Sequence, residues 1–141
     1  MTVSITKQDN IAIIKVDNPP VNALSQEVRT GLIKAVETID NDDSFVAAIL
    51  YCEGRTFIAG ADVREFNLPP QEPHLPEVVA TIGKAKKPWL AAIHGNALGG
   101  GLEVAMACRW RIATADANLG SPEVNLGIIL GANGCLLLPR L

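Results

Sequence analysis

Two short runs in this sequence, FVAAILYC over residues 45–52 and WLAAIHG over residues 89–95, carry apolar side chains at nearly every position. A strand wet on one face alternates apolar and polar residues. An uninterrupted run this short instead predicts a strand buried on both faces, the habit of parallel sheets covered by helices. Helical spacing precedes the first run: between Gln26 and Ile39, Val28, Leu32, Ala35, Val36 and Ile39 share one face, and Ser25 stands at the N-cap position. NDDS ends that helix. A weaker helix is predicted over 77–86, stopped by Pro88, and another follows the glycines of HGNALGGGLEVAM at 94–106. VSIT and IAIIKV read as a hairpin-like pair at the start, ended by DNPP; RIAT at 111–114 and the ANLG segment read as further short strands. NLPPQEPHLP at 67–76 is expected to be a surface loop. Strand and helix alternate, so the fold class is α/β with helices packed on a sheet.

At 141 residues, 48% apolar and 19% charged, the chain is one folded domain's worth or less. A net charge of −3 without a basic run argues against nucleic acid or an anionic membrane as partner. Cys52, Cys108 and Cys135 lie far apart with no metal-ligand spacing, so no metal and a reducing, cytoplasmic compartment are expected. No targeting pattern or long apolar run stands in the sequence. The final stretch, GIILGANGCLLLPRL, is strongly apolar. It is expected to be either a chain cut in mid-domain or a short protein whose end docks on a partner subunit.

Three glycines entering a helix are costly in backbone entropy. They serve either a tight packing turn or a cradle of free N–H groups for a carbonyl or anionic oxygen. The dinucleotide fingerprint fails, because Val104 stands where a third small residue is needed, and no GK[ST] follows for a phosphate loop. A second small-residue turn, FIAGADVRE at 57–65, also follows a strand. Glu103 falls in the first turn of the glycine-led helix. Glu123 follows Ser121, an expected N-cap, and Pro122, an expected first helical residue. Singly each acid reads as a first-turn helix glutamate; together in an apolar site they would divide acid and base work. His94 and His74 lack nucleophile partners, Trp89 and Trp110 read as core or half-buried packing, and the lysines and arginines as solvated faces.

NPPVNALS, FIAGADVREF, AAIHGNALGGGLEVAMACRWRIA and LGSPEVNLGIILG, in that order, resemble the crotonase superfamily of enoyl-CoA hydratases and isomerases. The look is nearest to the hydratase part of bifunctional hydratase/3-hydroxyacyl-CoA dehydrogenases. The resemblance implies a crotonase-like spiral of ββα units, of which residues 1–141 would be a C-terminally incomplete domain. It implies that the N–H groups of Ala61 and Gly100 form an oxyanion hole for an acyl-CoA thioester. Glu103 would then handle the water attacking Cβ, and Glu123 the Cα proton. A 2-trans-enoyl-CoA would become a 3-hydroxyacyl-CoA, as in fatty-acid β-oxidation. Asn22, Ala23 and Leu24, then Ala59, Gly60, Ala61, Asp62 and Val63, then Gly99 and Gly100, would line the CoA and substrate site. No metal or redox cofactor is implied, because coenzyme A belongs to the substrate. A trimer, a hexamer or fusion to a dehydrogenase domain is implied for assembly, and a peroxisomal or mitochondrial setting if the source is eukaryotic. The chain departs from the pattern at Leu130 and Asn133, where a proline and then an arginine or glycine are usual, and at Cys135 and Leu136, which replace a polar pair. An isomerase or another CoA-thioester lyase is the alternative within the family; a non-catalytic thioester-binding or assembly fragment is the alternative outside it.

Overall fold

A computed structural model describes residues 2–140 of the chain. The hairpin forms as expected. Strands β1 (Val3–Gln8) and β2 (Ile11–Val16) pair antiparallel across a turn in which Asp9 takes φ 53°, a conformation Asp tolerates. Beyond it every partner is parallel: β2 with β3 (Ala47–Cys52), β3 with β4 (Trp89–Ile93), and β4 with β6 (Trp110–Ala113). The resulting five-stranded sheet runs β1-β2-β3-β4-β6. A second, smaller sheet pairs β5 (Asn96–Leu98) with β7 (Asn118–Gly120), again parallel. Isolated bridges Leu24↔Ala61 and Ile58↔Ala97 extend this second layer backward along the chain.

One rule therefore repeats. The chain lays a strand in the main sheet, adds a short rung to the second layer, and leaves that rung into a helix. The helices are α1 (Gln26–Asp40), α2 (Leu75–Gly83) and α3 (Gly100–Ala107); the last coil exits into a 3-10 turn (Pro122–Leu126) and then α4 (Gly134–Leu137). This is the expected spiral of ββα units. Stacking puts Leu24, Ile58, Ala97 and Val104 into one core with α1 and the inner face of the main sheet. Each large apolar side chain buried there contributes on the order of 1.5–3 kcal/mol. Ser25 caps α1 as expected, its Oγ accepting the Val28 N–H at 3.4 Å.

Several expectations change. The apolar runs are not buried on both faces: Ala48, Leu50 and Cys52, like Trp89, Ala91 and Ile93, are buried, while their neighbours are half-buried. Only the inner face meets the helical core, so the outer face is apolar but partly open. The strand of the first run starts at Ala47. Helix α2 starts at Leu75, inside the expected loop, because Pro76 in its first turn sacrifices no helical bond. It stops before the lysines, whose Lys86 and Lys87 N–H groups donate to the Asp40 carboxylate at 2.9 and 3.2 Å and turn the chain toward β4. Strand β5 was not expected at all: three residues pair only with a remote strand and show no local period. Trp110 opens the edge strand β6 and is 53% exposed, not packed. Among the described residues no helix is long and apolar enough to cross a membrane.

Candidate active site

Because adjacent rungs are hydrogen-bonded neighbours, their exits stand side by side, about 4.7–4.9 Å apart per rung. Leu24 N–H donates to the Gly60 carbonyl at 2.9 Å, Leu98 N–H to Ile58 at 3.0 Å, and Gly99 N–H to Gly120 at 2.9 Å. The exits of successive coils, at Ala61, at Gly99 and Gly100, and at Ser121 to Glu123, are thereby aligned. A cavity of about 140 Å³ opens among them, lined by Ala59, Gly60, Ala61, Gly99 and Glu123 but not by Gly100 or Ser121. Val63 and Phe66 close one side, Leu98, Leu126 and Ile128 the other. A larger cavity of about 320 Å³ shares Ala59, Ala61 and Val63 with it and continues past Ala23, Asp62 and Arg64.

The donor groups follow from this ladder. Neither Ala61 N–H nor Gly100 N–H finds an acceptor among the described residues. The parallel bridge consumes the Gly60 carbonyl and leaves the next N–H unused, while Gly100, as first residue of α3, has no helical partner. The glycine run resolves into separate requirements. Gly99 takes φ 52°, and a Cβ there would stand 2.6 Å from Glu123 Oε1. A Cβ on Gly101 would stand 2.1 Å from the Ile58 carbonyl oxygen, so that glycine lets α3 lie against the neighbouring rung. The glycine turn packs tightly and leaves the Gly100 N–H without an acceptor among the described residues.

The acids diverge. Glu103 is 1% exposed, and its Oε1 accepts the N–H groups of Ala132 and Gly134, both at 2.8 Å. Asn133 between them takes φ 75°, a left-handed conformation that asparagine tolerates. Glu123 is half-buried on the 3-10 turn; its Oε2 is buried without a donor among the described residues, as is Ser121 Oγ. Ser121 therefore does not cap the turn as expected: its side chain makes no cap hydrogen bond. Glu103 does not line the small cavity and Glu123 does. The loop of residues 127–133 connects them, with Ile128 N–H on the Glu123 carbonyl at 3.2 Å at one end and the Glu103 clamp at the other.

The remaining expected residues divide by what their side chains do. Asn22, 3% exposed with φ 53°, donates from Nδ2 to the Glu53 and Thr56 carbonyls at 2.8 and 2.9 Å, and its Oδ1 accepts the Asn18 N–H at 2.8 Å. It braces the loop and lines neither cavity. Leu24 is core. Asp62 is buried, and the Arg64 guanidinium beside it holds its carboxyl below the usual range; Asp62 in turn raises Arg64. Burial pushes the Cys52 thiol up, and the Cys108 thiol up to about 12. His94 Nε2 lies 3.1 Å from the Gly54 carbonyl, a structural contact. Sequence reasoning missed Arg29, a buried arginine paired with Glu65 at 2.8 Å. Its signal was a charge directly beside Val28, four residues from the Ser25 cap, on the apolar side of α1.

Residues 6–141 match the protein family described as enoyl-CoA hydratase/isomerase. The chain belongs to that family. It is 46% identical over 132 residues to a peroxisomal bifunctional enzyme of Danio rerio, covering 94% of this chain and 18% of that one. It is 43% identical over 145 residues to a probable enoyl-CoA hydratase of Bacillus subtilis, covering 98% and 56%. The crystal structure of an enoyl-CoA hydratase from Bacillus anthracis superposes with a TM-score of 0.93 at 31% identity, covering 100% of this chain and 58% of that one. The chain thus spans well under two thirds of the relatives it matches. Its fold is the mixed α/β fold of this enzyme family.

Proposed function

We propose that the protein hydrates 2-trans-enoyl-CoA thioesters to 3-hydroxyacyl-CoA. The observation that carries the reading is the cavity on which Ala61, with its free N–H, and Glu123, whose carboxylate oxygen has no donor among the described residues, open together from the coils on either side of the Gly99 turn. In this reading the thioester oxygen accepts from Ala61 and Gly100 N–H, which stabilise the negative charge that gathers on it as Cβ is attacked. A water oxygen bonds to Cβ while Glu103 takes its proton, and protonated Glu123 gives a proton to Cα. The double bond is consumed, and both carboxyl groups return to their starting states by proton exchange with solvent. The thioester itself acidifies Cα, so no metal or redox cofactor takes part. The acyl part lies in the smaller cavity against Gly99 and Gly60, and the CoA part along Asn22, Ala23, Leu24, Asp62 and Val63. Assembly as a homo-oligomer, or as one unit of a longer bifunctional protein, belongs to the same proposal, as does a role in β-oxidation.

A second reading has its own support. Glu123 lines the cavity and Glu103 does not, which favours a single-acid double-bond isomerase. Loss of absorbance at the conjugated enoyl-thioester band, followed with Glu103→Gln and Glu123→Gln, separates the readings. Hydration abolished by either substitution supports the two-acid reaction. Turnover of a 3-enoyl thioester that depends on Glu123 alone supports the isomerase. Thioester binding with no turnover of either would leave a binding module and overturn both.

A further inference from the structure

We propose that Arg29 and Glu65 form a positioning clamp that sets where the Ala61 N–H points; the inference rests on the thioester-binding reading above. Arg29 lies on the first turns of α1 with its side chain 10% exposed. Its Nη1 donates to the Leu24 carbonyl at 2.7 Å and to Glu65 Oε2 at 2.8 Å. Its Nε donates to the Pro73 carbonyl at 2.7 Å and its Nη2 to the Gln71 carbonyl at 3.1 Å. The other oxygen of Glu65 accepts the Gln26 N–H at 2.6 Å, placing a carboxylate from a remote segment on the N-terminus of α1, where the helix dipole favours it.

These bonds converge on the donor from both directions. Upstream of Ala61, the Gly60 carbonyl is held by Leu24 N–H, and the Leu24 carbonyl is held by Arg29. Downstream, the 3-10 turn Val63–Glu65 ends in the residue that Arg29 and Gln26 grip. The segment carrying the free N–H is therefore pinned at each end to the same turn of α1. A buried arginine–carboxylate pair is weak evidence for stability, since desolvation offsets much of the attraction. Its fork geometry instead fixes positions that a single ammonium cannot reach together. The same guanidinium also ties the proline-rich loop to this wall through Gln71 and Pro73.

The test uses Arg29→Lys and the milder Glu65→Gln. A donor displaced by a fraction of an ångström loses most on charge that develops during reaction, so kcat with crotonyl-CoA is expected to fall by roughly 10- to 100-fold while KM changes little. Affinity for acetoacetyl-CoA bound as its enolate, which carries that charge on the thioester oxygen, is expected to fall about tenfold relative to free CoA. Combining the two substitutions should cost little more than Arg29→Lys alone, since both break one clamp. Should Arg29→Lys not fold, Glu65→Gln carries the same comparison. A lowered thermal midpoint with wild-type kcat and wild-type ligand preference would overturn the clamp. If the wild type binds no acyl-CoA thioester, the functional reading fails by itself. Hydrogen exchange then decides the clamp: faster exchange at the bonded amides of Gln26, Arg64, Glu65 and Phe66 upholds it, and unchanged exchange there rejects it.

Discussion

Glu103 and Glu123 leave neighbouring coils of one spiral, yet they are held in opposite ways. Glu103 is sealed in, with two backbone amides of the 132–134 loop on one oxygen. Glu123 rides a short 3-10 turn and keeps an oxygen for which the described residues offer no donor. The first carboxylate is part of what holds the last loop in place; the second is surplus to the fold. Burial alone does not say how far an acid holds its surroundings together, but the count of its hydrogen bonds does.

The largest effect expected from breaking this contrast is on rate. Glu103→Gln and Glu123→Gln should each lower hydration by about 10²- to 10⁴-fold in the enoyl-thioester assay. Stability should then separate what activity does not. Glu103→Leu strands the Ala132 and Gly134 amides and is expected to cost about 1–3 kcal/mol or more in denaturant unfolding. Glu123→Leu removes a buried oxygen that has no donor and should leave stability unchanged or raised. If the two leucine variants unfold alike, the distinction drawn here is wrong. Gly101→Ala tests the scaffold beneath both acids. Its Cβ would meet the Ile58 carbonyl, so a loss of roughly 1–3 kcal/mol is expected, against almost none for Gly131→Ala, whose Cβ meets nothing within 4 Å.

The smallest expected effect concerns Asp62, beside the cavity wall. Its carboxyl is held below the ordinary value by Arg64. A depressed folded-state value means that the contribution is present above the unfolded value and is lost as pH falls through the folded one. Asp62→Asn should therefore narrow the gap between neutral and acid stability. The change will be small, because Arg64 is 72% exposed and solvent screens the pair. Thermal midpoints across an acid pH series, wild type against variant, measure it.

Where the chain repeats a local rule, the sequence could be read. The hairpin, the Ser25 cap and the buried stripe of α1 follow from alternation, capping chemistry and helical period. The two acids and the two small-residue turns stand out from the residues themselves, their roles come from resemblance, and Ala61 and Glu123 do open on one cavity. Whatever depends on a remote neighbour stayed hidden. Strand β5 exists because β7 lies beside it. The half-open outer face of the sheet cannot be told from a covered one by composition. Nothing local marks what Arg29 binds, because its four acceptors lie at residues 24, 65, 71 and 73. Ser121 fits the capping rule in sequence, yet its hydroxyl caps nothing.

The ladder of rungs has a consequence for how such a protein can change. In the proposed reaction successive coils hand out different working atoms: an amide from the turn at Ala61, an amide and a carboxylate from the turn that opens α3, and a carboxylate from the turn at Glu123. A substitution within one coil can alter a single chemical role while the other contributors keep their places. A scaffold wired in this way can be retuned piecemeal, one reaction step at a time, without being rebuilt.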